Sequence, residues 1–312
     1  MRCVILDDYQ GVATSYADWS ALPLEVETVR EHLDPDATVA ALAGAEVVVL
    51  MRERTPLTRE LLDRLPDLRL VVTTGMRNAS IDLSACRERG IPVCGTGSAK
   101  TTTAELTWAL VLGLLRQVVP EVRGLADGGW QSTVGADLAG HTLGLLGLGS
   151  IGSRVARVGA AFDMDVVAWS PNLTEERATD GGARLVAKAE LFATADVLSI
   201  HLVLAEATRG IVGERELGLL RPSSYVVNTS RAGLVDTGAL LRALDAGALA
   251  GAALDVFDTE PLGAGDPLRD HPRVLATPHL GYVTQGNYRR FYGEAAEDVA
   301  AWLAGEPVRL LT

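Results

Sequence analysis

"LLGLGSIGSRVARVGAAFDMDVVAWSPN", Leu145 to Asn172, decides the fold. The apolar run Leu143 to Leu146 leads into Gly147, Gly149 and Gly152, a GxGxxG triplet, and the helical stretch "RVARVGAAF" follows. Each glycine answers a separate demand: a tight turn, close approach of the backbone to a pyrophosphate, and close packing of helix on strand. The helix N-terminus adds free N–H groups and a partial positive charge for the phosphates. A strand before and a helix after separate this triplet from a plain structural turn. Gly147, Gly149, Ser150, Ile151 and Gly152 are therefore the expected dinucleotide contacts.

The strand that comes next, "DVVAWS", ends at Ser170, Pro171 and Asn172. An NAD-selective site carries an acid there, roughly 20 residues past the turn, to hold the ribose 2′-hydroxyl. With Ser170 in its place a 2′-phosphate is not repelled, yet no Arg or Lys stands immediately beside it, and Arg177 is the nearest candidate. The cofactor expectation is NAD or NADP, with a relaxed or NADP-leaning preference.

Outward from this stretch, short β-rich apolar runs alternate with helical segments along the whole chain, the pattern of βαβ units in a parallel sheet. Strands are read near "CVIL", "EVVVL", "LRLVVT", "TLGLLGLG", "DVVAWS", "DVLSIHLV", "SYVVNTS", "AGAALDV" and "RVLATP". Their continuous apolar character implies burial on both faces. The alternation starts twice, at Cys3 and at Thr142, which predicts two α/β units. Thr101 to Val119 reads as one helix joining them. Pro120 to Gly140, glycine-rich with one Trp, fits either a linker or an arm packing on a partner. A helix over Thr284 to Leu303 would bury Phe291, Ala295, Val299 and Leu303.

A length of 312 residues favours two domains, and 48% apolar against 22% charged residues describes an ordinary globular chain. The net charge of -12 offers no field for nucleic acid or anionic lipid. Three cysteines without a CxxC pair give neither a disulfide framework nor a zinc site. No signal-peptide core or bilayer-length apolar run is present, so a cytoplasmic location is expected.

Three motifs each follow a predicted strand, at the carboxyl edge where open α/β sheets bind ligands. They are "NTSRAGLVD" with Arg231, "ALDVFDTEP" with Glu260, and "ATPHLGYVT" with His279. His279 suits general acid and base work, since an unperturbed imidazole titrates at roughly pH 6.5. Arg231 presents a planar fork that matches a carboxylate and polarises a neighbouring oxygen. Asp236 reads as the N-cap of "GALLRALDAG". His32, His141, His201 and His271 lack such context and read as structural or surface residues.

With these motifs in order, the chain resembles the D-isomer-specific 2-hydroxyacid dehydrogenase family over essentially its whole length. The resemblance implies two doubly wound parallel-sheet α/β domains, a Rossmann-type cofactor domain (99–286) inserted in a flavodoxin-like substrate domain (1–98 and 287–312). It implies hydride transfer between NAD(P)H and a small 2-oxo acid or D-2-hydroxy acid, with Glu260 as the carboxylate that orients His279. Asp255 would then accept from the nicotinamide carboxamide, and Thr229, Ser230 and Gly281 would lie along the cofactor, with the backbone around His201 nearby. The loop "TTGMRNASID" would close over the substrate carboxylate through the N–H groups of Gly75 and Met76. Arg52 in "MRERTPLT" stands where some relatives place a second substrate arginine, and an exposed ion pair is the other reading.

Met76, Arg77 and Asn78 depart from the small residue and Val-Gly that family members often carry, which leaves the substrate open. Glu105 and Trp108 match the family's helix start, and Trp108 could face the cleft. A homodimer through Pro120 to Gly140 is also implied. The rival reading is a nucleotide-sensing binding protein like the C-terminal-binding corepressors. Formate or phosphite oxidation is disfavoured by the Glu260 and His279 pair, and phosphoglycerate biosynthesis by the absence of a regulatory domain after Thr312.

Overall fold

A computed structural model describes residues 1–312. The chain forms two compact units, one from Met1–Ala99 with Val283–Thr312 and one from Lys100–Tyr282. The smaller holds strands β1 (Arg2–Ile5), β2 (Glu25–Thr28), β3 (Val47–Leu50), β4 (Leu70–Thr73) and β5 (Val93–Gly95). All pair in parallel, in the order β2-β1-β3-β4-β5. The larger holds β6 (Thr142–Leu146), β7 (Asp165–Trp169), β8 (Arg184–Leu185), β9 (Val197–Ile200), β10 (Tyr225–Asn228), β11 (Gly251–Leu254) and β12 (Val274–Ala276). These are also all parallel, in the order β12-β11-β10-β9-β6-β7-β8. The two orders are the flavodoxin-like and the Rossmann arrangements of doubly wound sheets.

The larger sheet shows why its strands read as unbroken apolar runs. Leu143, Leu145, Val166 and Val227 pack into one core, while Leu146, Val167, Leu198 and Val226 pack into another. Successive side chains point to opposite faces of a strand, so helices on both faces demand apolar residues at every position.

Each sheet reverses its strand order once, and crevices for ligands open at the carboxyl ends beside such a reversal. In the larger unit the reversal lies between β6 and β9, and in the smaller between β1 and β3.

Three strands escaped the sequence pattern because they lie at edges. β2 exposes Glu25 and Glu27, β5 has three residues, and β8 has two. The helix expected over Thr101 to Val119 is two helices, Thr101–Leu115 and Val118–Ala126, broken at Gln117, whose φ of +51° is left-handed. The last helix, Gln285–Leu303, is capped by Thr284, whose Oγ1 accepts from the Asn287 N–H, and it buries Phe291, Ala295 and Val299. No helix is long and apolar enough to cross a membrane.

Candidate active site

The glycine bend after β6 separates what the fold requires from what a ligand requires. Gly147 has φ +104°, and a Cβ there would stand 2.8 Å from the His201 backbone. At Gly152 a Cβ would stand 2.3 Å from the Gly147 carbonyl oxygen. Both positions exclude side chains for internal reasons. A Cβ on Gly149 meets nothing within 4 Å, so the protein itself makes no demand for glycine there. The open space is what a pyrophosphate approaching the backbone requires, and the residues fit a dinucleotide. Helix Gly152–Ala161 begins at once, with Ile151 at its N-cap, no capping side chain and Ser150 exposed beside it.

The Gly147 N–H donates to the Trp169 carbonyl at 2.8 Å, which sets Ser170 directly beside the bend. Arg177 Nη1 donates to the Asn172 carbonyl at 3.0 Å, so its guanidinium rests on the same turn. On the other side, His201 Nε2 lies 2.9 Å from Ser199 Oγ, and burial pushes its pKa down to about 4. A neutral ring therefore lines the bend at neutral pH.

His279 follows β12 with a left-handed backbone, φ +53°, uncommon outside glycine. Its Nδ1 lies 2.6 Å from Glu260 Oε2, and Glu260 Oε1 accepts from the Phe257 N–H at 3.0 Å. A carboxylate at Nδ1 fixes the proton on that nitrogen and orients the ring. Asp255, fully buried, pins the loop: Oδ1 accepts from Thr277 Oγ1 and the Leu280 N–H, each at 2.7 Å, and Oδ2 from the Gly281 N–H at 2.9 Å. Burial pushes the Asp255 carboxyl above its ordinary range, against the pull of Thr277 and the two amides. Both its oxygens thus serve the loop that carries His279, a task the sequence did not disclose. Gly281 is buried, and its carbonyl accepts from Thr103 Oγ1 at 3.1 Å.

Arg231 follows β10 in extended backbone, with Nη1 donating to the Ser230 carbonyl at 2.8 Å. Asn228 ties the turn, its Nδ2 donating to the Arg231 carbonyl and its Oδ1 accepting from the Ser230 N–H. Thr229 and Ser230 commit their hydroxyls within the unit. Thr229 Oγ1 lies 2.9 Å from Thr107 Oγ1, and Ser230 Oγ donates to the Leu202 carbonyl at 2.6 Å, so both hydroxyls hold the strand end in place. Asp236 caps its helix, accepting from the Ala239 N–H.

In the smaller unit, Arg52 and Gly75 meet. Arg52 Nη1 donates to the Thr74 carbonyl at 2.9 Å and occupies the space where a Gly75 Cβ would project, 1.7 Å away. Gly75 has φ +98°, and its N–H donates to Thr96 Oγ1 at 2.9 Å. The amide is thereby committed to Thr96, and the absent side chain makes room for Arg52. Met76 beside it is exposed. Asn78 staples the two loops, donating to the Arg52 carbonyl and to Thr73 Oγ1.

Trp108 does not face a cleft. It is buried against Phe162, ring centroids 5.2 Å apart, in the core of the larger unit.

Residues 108–281 match the family of D-isomer specific 2-hydroxyacid dehydrogenases, NAD binding domain. The chain is 38% identical over 257 residues to the glyoxylate reductase of Aeropyrum pernix, covering 79% of this chain and 77% of that one. It is 32% identical to the hydroxypyruvate reductase of Thermotoga maritima, covering 88% and 90%. Against the D-3-phosphoglycerate dehydrogenase of Bacillus subtilis, at 35% identity, 83% of this chain spans half of that protein's length. The crystal structure of a phosphoglycerate oxidoreductase from Vibrio cholerae superposes with a TM-score of 0.93 at 38% identity, covering 98% of this chain and 99% of that one. A Rossmann sheet with a glycine bend open to pyrophosphate, a buttressed histidine past its last strand and these likenesses converge: the chain belongs to the D-isomer specific 2-hydroxyacid dehydrogenases, NAD-binding oxidoreductases.

Proposed function

We propose that the protein reduces a small 2-oxo acid to its D-2-hydroxy acid, or runs the reverse, with His279 as acid and base. The observation that carries this reading is the 2.6 Å contact between His279 Nδ1 and Glu260 Oε2. A nicotinamide dinucleotide whose pyrophosphate the bend Gly147 to Gly152 would hold would supply the hydride chemistry. Glu260 orients the ring through Nδ1, and His279 gives its Nε2 proton to the C2 oxygen as the hydride arrives, so that no alkoxide charge is left there. In the oxidative direction the neutral ring takes that proton back. Arg231 binds the carboxylate and polarises the carbonyl with its donor fork. In the smaller unit, Arg52 and Met76 are the residues assigned to the acid end.

The same reading takes either NADH or NADPH. Ser170 carries no charge to repel a 2′-phosphate, and the Arg177 guanidinium rests on the adjoining turn. Turnover of glyoxylate, hydroxypyruvate, pyruvate and bulkier 2-oxo acids, each with NADH and with NADPH, tests both points. Absence of turnover with every acid overturns the function, and strict NADH dependence overturns the relaxed preference.

Self-association belongs to the proposal as well. Val122, Leu125, Trp130 and Val134 are 59–97% exposed, an apolar patch on one short segment. Sedimentation at micromolar concentration should give a dimer, and a monomer removes this part.

A further inference from the structure

β5 lies at the edge of the smaller sheet, and the segment Arg309–Thr312 closes that edge. Cys94 and Leu310 form an antiparallel bridge, the Gly95 N–H donates to the Arg309 carbonyl at 3.0 Å, and the Leu311 N–H donates to the Val93 carbonyl at 2.8 Å. The last helix grips the segment through one side chain. Arg309 Nε donates to Asp298 Oδ1 at 2.8 Å, while Nη2 donates to the Glu294 carbonyl at 2.9 Å and to Glu297 Oε2 at 3.0 Å.

Cover for an edge strand accounts for the pairing. It does not account for two costs concentrated at the grip. Arg309 is left-handed, φ +50°, and Asp298 is fully buried with Oδ2 lacking a hydrogen-bond partner. Each disfavours the folded state, and backbone strain of this kind gathers at functional sites.

The strand that the grip holds carries the turn assigned to the acid end. A Cβ on Gly95 would stand 2.8 Å from the Gly75 carbonyl oxygen, 3.3 Å from Met76 Cα and 3.2 Å from Leu311 Cδ1. Leu311 and the Gly75–Met76 turn thus close on the same glycine. Thr96, the next residue, takes the Gly75 N–H on its Oγ1 and donates its own N–H to the Thr73 carbonyl at 3.1 Å. The Gly97 N–H donates to Glu294 Oε2 at 2.5 Å, on the helix that holds Arg309.

We propose that Arg309 and Leu311 are positioning residues for the acid end of the substrate: the strap they form holds Gly95 and Thr96 against the Gly75–Met76 turn and so fixes where Arg52 and Met76 stand. The inference deepens the dehydrogenase reading and rests on its assignment of Arg52 and Met76. Glu260, His279 and the glycine bend belong to the larger unit, so a loosened strap acts on KM for the acid and leaves kcat alone.

Steady-state kinetics with glyoxylate and hydroxypyruvate, run beside hydrogen exchange at Gly75, Met76 and Arg77, test the strap. Leu311→Ala should raise KM for both acids about tenfold, with kcat and NADH affinity unchanged, and should speed exchange at those three amides. Leu311→Met, which conserves volume, should keep the original KM. Gly95→Ala pushes on the turn instead of releasing it and should raise KM as well. Leu310→Ala trims a neighbouring side chain that is 46% exposed and should move neither readout. Unchanged KM or unchanged exchange in Leu311→Ala, or an equal rise in Leu310→Ala, overturns the strap. Faster exchange in Leu311→Ala without turnover of any 2-oxo acid by the unaltered protein would sink the dehydrogenase reading and leave the strap standing as the support of that turn.

Discussion

Both sheets reverse their strand order once, and they furnish the reversal in opposite ways. The larger one places glycines there, so that bare backbone meets the ligand, with Gly147 and Gly152 shaped by the fold and Gly149 left open. The smaller one places long charged side chains there, held by left-handed Asp7 and Arg52. One positional rule thus serves two chemistries. Backbone amides suit a diphosphate that every dinucleotide carries, whereas guanidinium groups suit acid ends that differ among substrates.

The comparison breaks most visibly at the reacting centre. His279→Gln should lower kcat by about 10²–10⁴ while NADH affinity, read by fluorescence titration, stays put. An unchanged kcat removes His279 from the mechanism.

Within the bend, the two kinds of glycine should part company. Gly147→Ala meets the His201 backbone and should cost about 2–4 kcal/mol in denaturant unfolding. Gly149→Val should leave stability within about 0.5 kcal/mol and weaken NADH binding about tenfold or more. Equal loss of stability in both would show that Gly149 serves the fold.

Acid should pull the two units in opposite directions. His201, neutral when folded down to about pH 4, takes a proton in the unfolded chain near pH 6.5, so the larger unit loses stability as pH falls through that window. The residue keeps some solvent exposure, so the loss is roughly 1–3 kcal/mol. Asp298 in the smaller unit, raised to about 6 by burial, holds its proton longer when folded, so that unit gains as pH falls over the same range. Hydrogen exchange at pH 7 and pH 5, corrected for intrinsic rates, should show protection moving apart, and His201→Gln should flatten the larger unit's response. Parallel loss in both units contradicts the assignment.

The smallest effect belongs to Gly75→Ala, which should displace Arg52, cost about 1 kcal/mol through φ strain and raise KM for the acid. A stable variant with unaltered KM would detach Arg52 from substrate.

What was legible in the sequence follows the same division. The glycine bend declared itself because its residues are contiguous, and so did central strands such as Val47–Leu50, apolar at every position. Glu260 and His279 were readable only as members of a resembled pattern, since 19 positions separate them and nothing local announces a 2.6 Å contact. Edge strand β2 was hidden because half its side chains, Glu25 and Glu27, face water. The partners of Asp255 and Gly75 were not legible for one reason: they come from other loops, and a strand-end position says where a group lies before it says which groups reach it.

The chain leaves and re-enters each unit at neighbouring points. Ala99 donates through its N–H to Asn287 Oδ1 at 2.7 Å, and Thr103 reaches the Gly281 carbonyl at 3.1 Å. A gene encoding residues 100–282 alone, or one that splices 99 to 283 through a short bridge, therefore asks neither half to span a gap. Each half becomes a portable cassette, exchangeable with a relative's counterpart as a single inheritable part.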